Sequence, residues 1–388
     1  MFSEGLINSF RGLETPFYYY DMSLLDRTLG VVKDAAIEHG YHVHYAMKAN
    51  CNAEILKAVK AAGLGVDAVS GNEVQLAIDS GFGPDQVVFA GVGKSDREIS
   101  LALGHKIFCF NCESAQELTV INNLAKAQGT IAGVALRINP NVDPKTHKFI
   151  TTGLEENKFG INPWELDEVM NTIRGSDHVR LKGLHFHIGS QVVDTSRYQL
   201  LCEKVNEIQN WFDDRDISIE FVNVGGGLGI DYNRPDVHAI PELRTYFDIF
   251  KSHLNLPSGR QLHFELGRSI VGQCGSIISR VLYTKQARKT TFAIIDAGMT
   301  ELIRPALYQA YHQIDNLTGE GAEDTYDIVG PICETSDAFL RGIHMSKLER
   351  GDLVAIRSTG AYAEVMASQY NLRDKAKSYF SSNEFLRD

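Results

Sequence analysis

Between residues 41 and 266, short apolar, β-rich runs alternate with longer segments whose apolar residues recur three or four positions apart. The β-rich runs fall at 42–47, 65–70, 87–91, 106–111, 133–139, 183–188, 221–225 and 261–266, eight in all. The helical spacing is plain in Ala53-Glu54-Ile55-Leu56-Lys57-Ala58-Val59 and from Arg197 to Trp211. Eight strands, each separated by a helical crossover, predict a (β/α)8 TIM barrel, and their continuously apolar character suits a parallel sheet covered on both faces. From Gly272 onward the texture changes: runs at 277–283, 291–296, 324–329 and 352–357 follow one another with turns between them. That pattern predicts a mainly antiparallel β domain, and the short run Pro16–Tyr20 is a candidate to join it. The chain therefore reads as an α/β protein with a barrel at 25–272 and a β-sandwich or Greek-key-like domain at 273–388 together with 1–24.

With 44% hydrophobic and 22% charged residues over 388 positions, the composition is that of a globular protein with more than one core. A net charge of −11 argues against nucleic acid or an anionic membrane as a partner. No apolar run approaches membrane-spanning length, and the first dozen residues lack the basic start and apolar centre of a signal peptide. The six cysteines are scattered; Cys109-Phe110-Asn111-Cys112 has no companion pair and reads as a strand end plus loop. A reducing cytoplasm is the expected location.

Active-site groups of such barrels lie at the carboxyl ends of the strands. The apolar run Tyr41–Met47 stops at Lys48, which is expected there with a buried wall behind it, partly desolvated and able to act as a nucleophile. Strand two carries Asp67 and Ser70, strand five Arg137 and Asn139, strand six His187, Gly189 and Ser190. Strand seven ends in Gly225-Gly226-Gly227 and strand eight in Glu265-Leu266-Gly267-Arg268. The glycine triplet bares backbone N–H groups to a phosphate, and Arg268 can add a charge-assisted bond to the same group. A nucleophilic lysine, a phosphate cradle, an acid and a flat imidazole suggest pyridoxal 5'-phosphate. Lys48 would hold the aldehyde as a Schiff base, Glu265 would keep the ring nitrogen protonated, and His187 would stack on the ring.

The pairs His42-Val43-His44 and His185-Phe186-His187 raise a competing reading, since metal-dependent barrel hydrolases use H-x-H ligands. His44, however, stands four residues before Lys48, roughly 13 Å lower along a strand that rises about 3.3 Å per residue, and so belongs to the barrel filling. No metal is expected.

Together Tyr45-Ala46-Met47-Lys48-Ala49-Asn50, His187-Ile188-Gly189-Ser190-Gln191, Gly225–Gly227, Glu265-Leu266-Gly267-Arg268, Gly330-Pro331-Ile332-Cys333-Glu334 and Gly360-Ala361-Tyr362 resemble the fold-type III pyridoxal-phosphate decarboxylases, whose fold is alanine racemase-like. The resemblance covers nearly the whole chain. It implies Lys48, His187, Ser190, Gly225, Gly226, Gly227, Glu265, Leu266, Gly267, Arg268 and Tyr362 as cofactor-binding residues, and Cys333 as the group returning a proton to the α-carbon. It implies substrate binding by Arg268, Arg304, Tyr308, Glu334 and Tyr362, and a homodimer in which the Cys333 loop of one chain completes the partner's site. The implied reaction is decarboxylation of an amino acid, with meso-2,6-diaminopimelate first, giving L-lysine in the last step of lysine biosynthesis. Carboxynorspermidine and the basic amino acids are the close alternatives, and a non-catalytic cofactor-binding relative is the distant one. One departure stands out: the family usually has proline where this chain has Leu266, which restores a backbone N–H and frees φ.

Overall fold

The computed structural model of the chain describes residues 2–144 and 158–386. Strand β1 (Phe17–Tyr20) belongs to a second sheet; the next eight strands close a parallel barrel. These are β2 (His42–Ala46), β3 (Gly65–Ala68), β4 (Val87–Phe89), β5 (Cys109–Cys112), β6 (Ala132–Arg137), β7 (Val179–His185), β8 (Phe221–Asn223) and β9 (Gln261–Leu266). All eight expected strands exist, and the ladder runs in sequence order until β9 closes on β2, pairing His42 with His263 and His44 with Glu265. Most boundaries move: β3, β4, β6 and β8 end before the expected runs do, which leaves Ser70 and Asn139 beyond their strands; the run expected at 106–111 is β5, and the run expected at 183–188 is β7, which leaves His187 beyond the strand end. Cys109-Phe110-Asn111-Cys112 lies wholly within β5 with both thiols buried and free, so the loop expected at its end is not there.

Alternation along β9 sorts its side chains. Phe264 faces outward, where Tyr246, Phe247 and Phe250 of the helix Leu243–His253 pack on it with ring centroids 5.6, 4.7 and 5.0 Å away. By the two-residue period His263 and Glu265 therefore face inward. The lower barrel is filled by rings: Phe221 lies 4.6 Å from His263 and Phe108 5.8 Å from it, with the Lys182 ammonium 4.1 Å above Phe108. His44, 5% exposed, meets His263 edge to edge, Nε2 to Nδ1 at 3.0 Å. It fills the barrel interior, as its distance from Lys48 along the chain requires.

The later strands are β10 (Gly275–Gln286), β11 (Thr291–Ile295), β12 (Ile314–Asn316), β13 (Glu323–Val329), β14 (Ala338–Ser346), β15 (Leu353–Ile356) and β16 (Lys377–Phe380). They form a mainly antiparallel sheet in the order β12-β15-β10-β11-β13-β14, with β1 pairing antiparallel to β10 and parallel to β16. The amino-terminal run thus joins this sheet. Phe10, Phe17, Tyr19, Ile278, Leu353 and Ala355 make one of its buried clusters. Contacts divide the chain into two units: residues 29–229 with 242–267 hold the barrel, and residues 1–28, 230–241 and 268–388 hold the second sheet.

Burial keeps the lower histidines neutral. It lowers the His44 imidazole from 6.5 to about 4 against a partial counter-effect of Glu265, and the His263 imidazole to about 2 with help from His44 and His42. A histidine whose folded pKa is depressed lends its stability above pH 6.5 and loses it as pH falls toward the folded value. For His44 that window runs from pH 6.5 to 4 and involves at most roughly 3 kcal/mol. Urea midpoints measured across this range should fall with acidification, and His44→Gln should flatten the fall; an unchanged slope would contradict the assignment.

Candidate active site

Lys48 sits in the single 3-10 turn Met47–Ala49 that ends β2, so the strand stops and the side chain emerges at the carboxyl end of the barrel. Its side chain is 37% exposed, and its Nζ lies 3.1 Å from Oδ2 of Asp67, which is fully buried on β3. The lysine is therefore held by an acid rather than merely stripped of water. Burial raises the Asp67 carboxyl to about 7, Glu265 adds to the rise, and Lys48 opposes it. Asp67 thus titrates near neutrality beside the lysine. Ser70 caps the helix Gly71–Asp79, accepting from the Glu73 N–H at 3.2 Å, and has that structural task.

Glu265 is 6% exposed, and its carboxylate is held by side chains inside the barrel. Oε1 accepts from Asn223 at 2.8 Å and Asn111 at 3.1 Å, and His185 Nε2 lies 3.0 Å from Oε2. Burial alone would raise its pKa; His185, Lys48 and His187 outweigh that and hold the carboxyl well below its ordinary value. Two acids in one barrel are thereby driven apart, Glu265 ionised and Asp67 near its midpoint. Asn111, Asn223 and the role of His185 were not legible in the sequence. The weak signal was a polar residue in an otherwise apolar strand, which alternation could have turned inward.

The glycine triplet follows β8. Gly225 and Gly227 take φ of +70° and +100°, and a Cβ on Gly226 would stand on top of the Glu265 carbonyl oxygen, so the chain can pass only without side chains. Gly225 N–H donates to Asn223 Oδ1 at 2.9 Å, and Gly226 N–H donates to His187 Nδ1 at 3.3 Å. His187 is thus pinned against the triplet. Burial, then the charges of Arg137 and Lys48, lower its pKa well below the usual value and leave a neutral ring. Ser190 follows the positive-φ Gly189. Leu266, fully buried, pairs with Tyr45 on the last rung of β9 and β2, and Gly267 approaches Ala46 and Ala49 so closely that a Cβ would lie 3.1 and 3.0 Å from theirs. Lysine, neutral imidazole, bare backbone cradle and ionised acid make a donor set that fits pyridoxal phosphate.

In the second unit Arg268, Arg304 and Tyr362 gather around Tyr232, and Cys333 and Glu334 contact other residues. Arg268 Nη1 donates to the Tyr232 hydroxyl at 2.5 Å, and its guanidinium lies 4.7 Å from the Tyr362 ring, whose residue takes a left-handed φ of +58°. Arg304 opens the short helix Arg304–Tyr308, is 4% exposed, and covers the Tyr232 ring at 4.7 Å. Its Nη1 lies 2.6 Å from His312 Nε2, and among the described residues no carboxylate pairs with it. Tyr308 is half-buried at the end of that helix. Cys333 and Glu334 are exposed; Cys333 N–H donates to Asn371 Oδ1 at 3.2 Å, and Tyr370 donates to Glu334 Oε1 at 2.8 Å. Tyr232 and His312 went unnoticed in the sequence because nothing local marks them.

Residues 27–272 match the family model described as the pyridoxal binding domain of the pyridoxal-dependent decarboxylases, and the chain belongs to that family. Its cofactor is pyridoxal phosphate. The chain is 53% identical to the diaminopimelate decarboxylase of Bacteroides thetaiotaomicron, over 97% of each chain. It is 40% identical to that of Helicobacter pylori strain J99, over 94% of this chain and 90% of the relative. A solved Helicobacter pylori diaminopimelate decarboxylase, complexed with L-lysine, superposes with a TM-score of 0.90 at 38% identity, covering 96% of this chain and 93% of the other. The lysine/ornithine decarboxylase of Vibrio vulnificus shares the fold at 20% identity with a TM-score of 0.85.

Borohydride reduction of the yellow holoenzyme followed by peptide mapping should fix the cofactor on the peptide holding Lys48; a label elsewhere would remove that residue from its place.

Proposed function

We propose that this protein decarboxylates meso-2,6-diaminopimelate to L-lysine and carbon dioxide, the last step of lysine biosynthesis. The observation that carries the reading is Arg304, a buried cation whose neighbours are a neutral imidazole and a phenol ring. Such a charge is costly unless an anion meets it. Diaminopimelate offers one, because its far end bears a carboxylate beside the ammonium, whereas lysine or ornithine bound as substrate would present an ammonium alone. Arg304 and Arg268 would take the carboxylate and Glu334 the ammonium. A desolvated arginine facing no carboxylate would penalise the shorter-charged amino acids.

In this reading Lys48 carries the cofactor aldehyde, while Ser190, the backbone of Gly225, Gly226 and Gly227, Gly267, Arg268 and Tyr362 hold its phosphate end. Bound there, pyridoxal phosphate would supply an electron-accepting ring for the pair left by the departing carboxylate. Glu265, kept ionised by its amide and imidazole partners, holds a proton at the ring nitrogen. Leu266 and Gly267 shape the turn between Glu265 and Arg268, and the neutral His187 imidazole would lie against the cofactor ring. Asp67 keeps the Lys48 amine placed and accepts a proton near neutral pH. The Cys333 thiol delivers a proton to the α-carbon, and Tyr308 lines the substrate.

We further propose a homodimer with shared sites, in which the Cys333 loop serves the partner. The exposed Cys333 and the neighbouring Leu372, 96% exposed at a left-handed φ, support a covered surface. A cytoplasmic location accords with six free cysteines, and among the described residues no helix is long and apolar enough to cross a membrane.

Carbon dioxide release should be measured with meso-diaminopimelate, lysine, ornithine, arginine and carboxynorspermidine. Only the first should turn over well, and comparable release from lysine or ornithine would defeat the reading. Mixing inactive Lys48→Ala and Cys333→Ala chains under exchange should recover about a quarter of wild-type activity, since half the dimers then hold one intact site. No recovery despite proven exchange would place both residues in one chain's site.

A further inference from the structure

Two other buried arginines of this chain, Arg357 and Arg137, are neutralised by acids. Arg357 is held by Asp236 at 2.7 Å and Asp315 at 2.6 Å, and Arg137 by Glu113 at 2.9 Å. Arg304 is the contrast: its Nη1 meets the Nε2 of His312 at 2.6 Å, its flat face lies on Tyr232, and its buried Nε has no hydrogen-bond partner among the described residues. His312 is 2% exposed, and its other nitrogen, Nδ1, lies 2.8 Å from the Arg357 carbonyl oxygen. A carbonyl can only accept, so the proton sits on Nδ1 and Nε2 is left as an acceptor for the guanidinium. The ring is further fixed by an edge-to-face contact with Tyr232, centroids 4.8 Å apart at 70°. A left-handed Gln309, φ +53°, ends the helix that starts at Arg304 and turns the chain so that His312 comes back against it.

We propose that His312 is a positioning residue that sets substrate specificity: it orients Arg304 toward the far carboxylate of the substrate while leaving its charge unspent. The proposal rests on the diaminopimelate reading above and adds to it the residue that makes Arg304 selective. An acid at 312 would orient the guanidinium as well, but would satisfy it and compete with the incoming carboxylate. A neutral acceptor does the first without the second. Burial and the nearby Arg304 hold the His312 imidazole well below its ordinary pKa, consistent with an uncharged acceptor. The partnerless Nε is then one of the donors available to the ligand, with the guanidinium already oriented before binding.

Two ligands separate this role from general damage. L-lysine has a terminal amine able to react with the bound cofactor and keeps the distal ammonium and carboxylate; cadaverine is the same chain without the carboxylate. Affinities are read from the absorbance change of the bound cofactor, with melting temperature and cofactor content checked for each variant. His312→Leu and His312→Glu should weaken L-lysine about tenfold or more while cadaverine moves less than about twofold. KM for meso-diaminopimelate should rise alongside the loss of L-lysine affinity while kcat stays within about threefold of wild type, and His312→Gln, whose amide can accept and donate, should recover most of the L-lysine affinity. Equal weakening of both ligands, or wild-type L-lysine affinity in His312→Glu, would overturn the proposal. Wild-type protein that fails to decarboxylate meso-diaminopimelate would instead sink the functional reading on which it rests, so the two failures are distinguishable.

Discussion

A carboxylate at the centre of a β-barrel is expensive to bury and persists only when its oxygens are satisfied. Glu265 meets that condition with two amides and an imidazole contributed by three other strands, Asn111 from β5, Asn223 from β8 and His185 from β7. Those four residues tie the far sides of the barrel together through one anion. The same anion adds to the burial that raises its neighbour Asp67 to about 7 and, through Asp67, bears on Lys48. Remove the satisfied carboxylate and the charge balance at the mouth changes with it.

The steric counterpart is the passage of the chain past Glu265. Gly226 runs against the Glu265 carbonyl, and Gly225 offers its N–H to Asn223, the residue that also binds the carboxylate. The backbone cradle and the acid are therefore built from the same contacts. His187, pinned by the Gly226 N–H, completes a mouth in which a lysine, a neutral ring, bare amides and an anion are all set by β7, β8, β9 and the turn after β2. Chemistry that stores charge on a cofactor ring needs such fixed polarity, since fixed groups cost no reorganisation when the charge develops.

In the second unit the design is inverted. Arg357 shows what this chain does with a structural arginine, which is to surround it with aspartates. Arg304 is given a phenol ring and a neutral imidazole instead, so its charge is left for a ligand. The difference between a cation that stabilises a fold and one that recognises a carboxylate lies in its neighbours.

The near-continuous apolar character of the strands and the three-to-four-residue spacing between them determined the barrel, because a parallel sheet needs an apolar face on both sides and a crossover after every strand. The abrupt stop at Lys48, the glycine triplet and Glu265-Leu266-Gly267-Arg268 were legible for the same local reason: each breaks an apolar run at a strand end. Strand ends themselves were less so, and His187 fell outside its strand because ladder pairing, rather than side-chain character, decides where β7 stops. Nothing local marks Asn111 and Asn223, and His185 reads as half of an H-x-H pair; only closure of the sheet brings the three onto one carboxylate. Likewise, Tyr232 lies far from Arg304 in sequence, and His312 reaches Arg304 through the left-handed turn at Gln309. Sequence period dictates which face a residue occupies; which residues meet across that face depends on register, closure and turns, and those are properties of the whole fold.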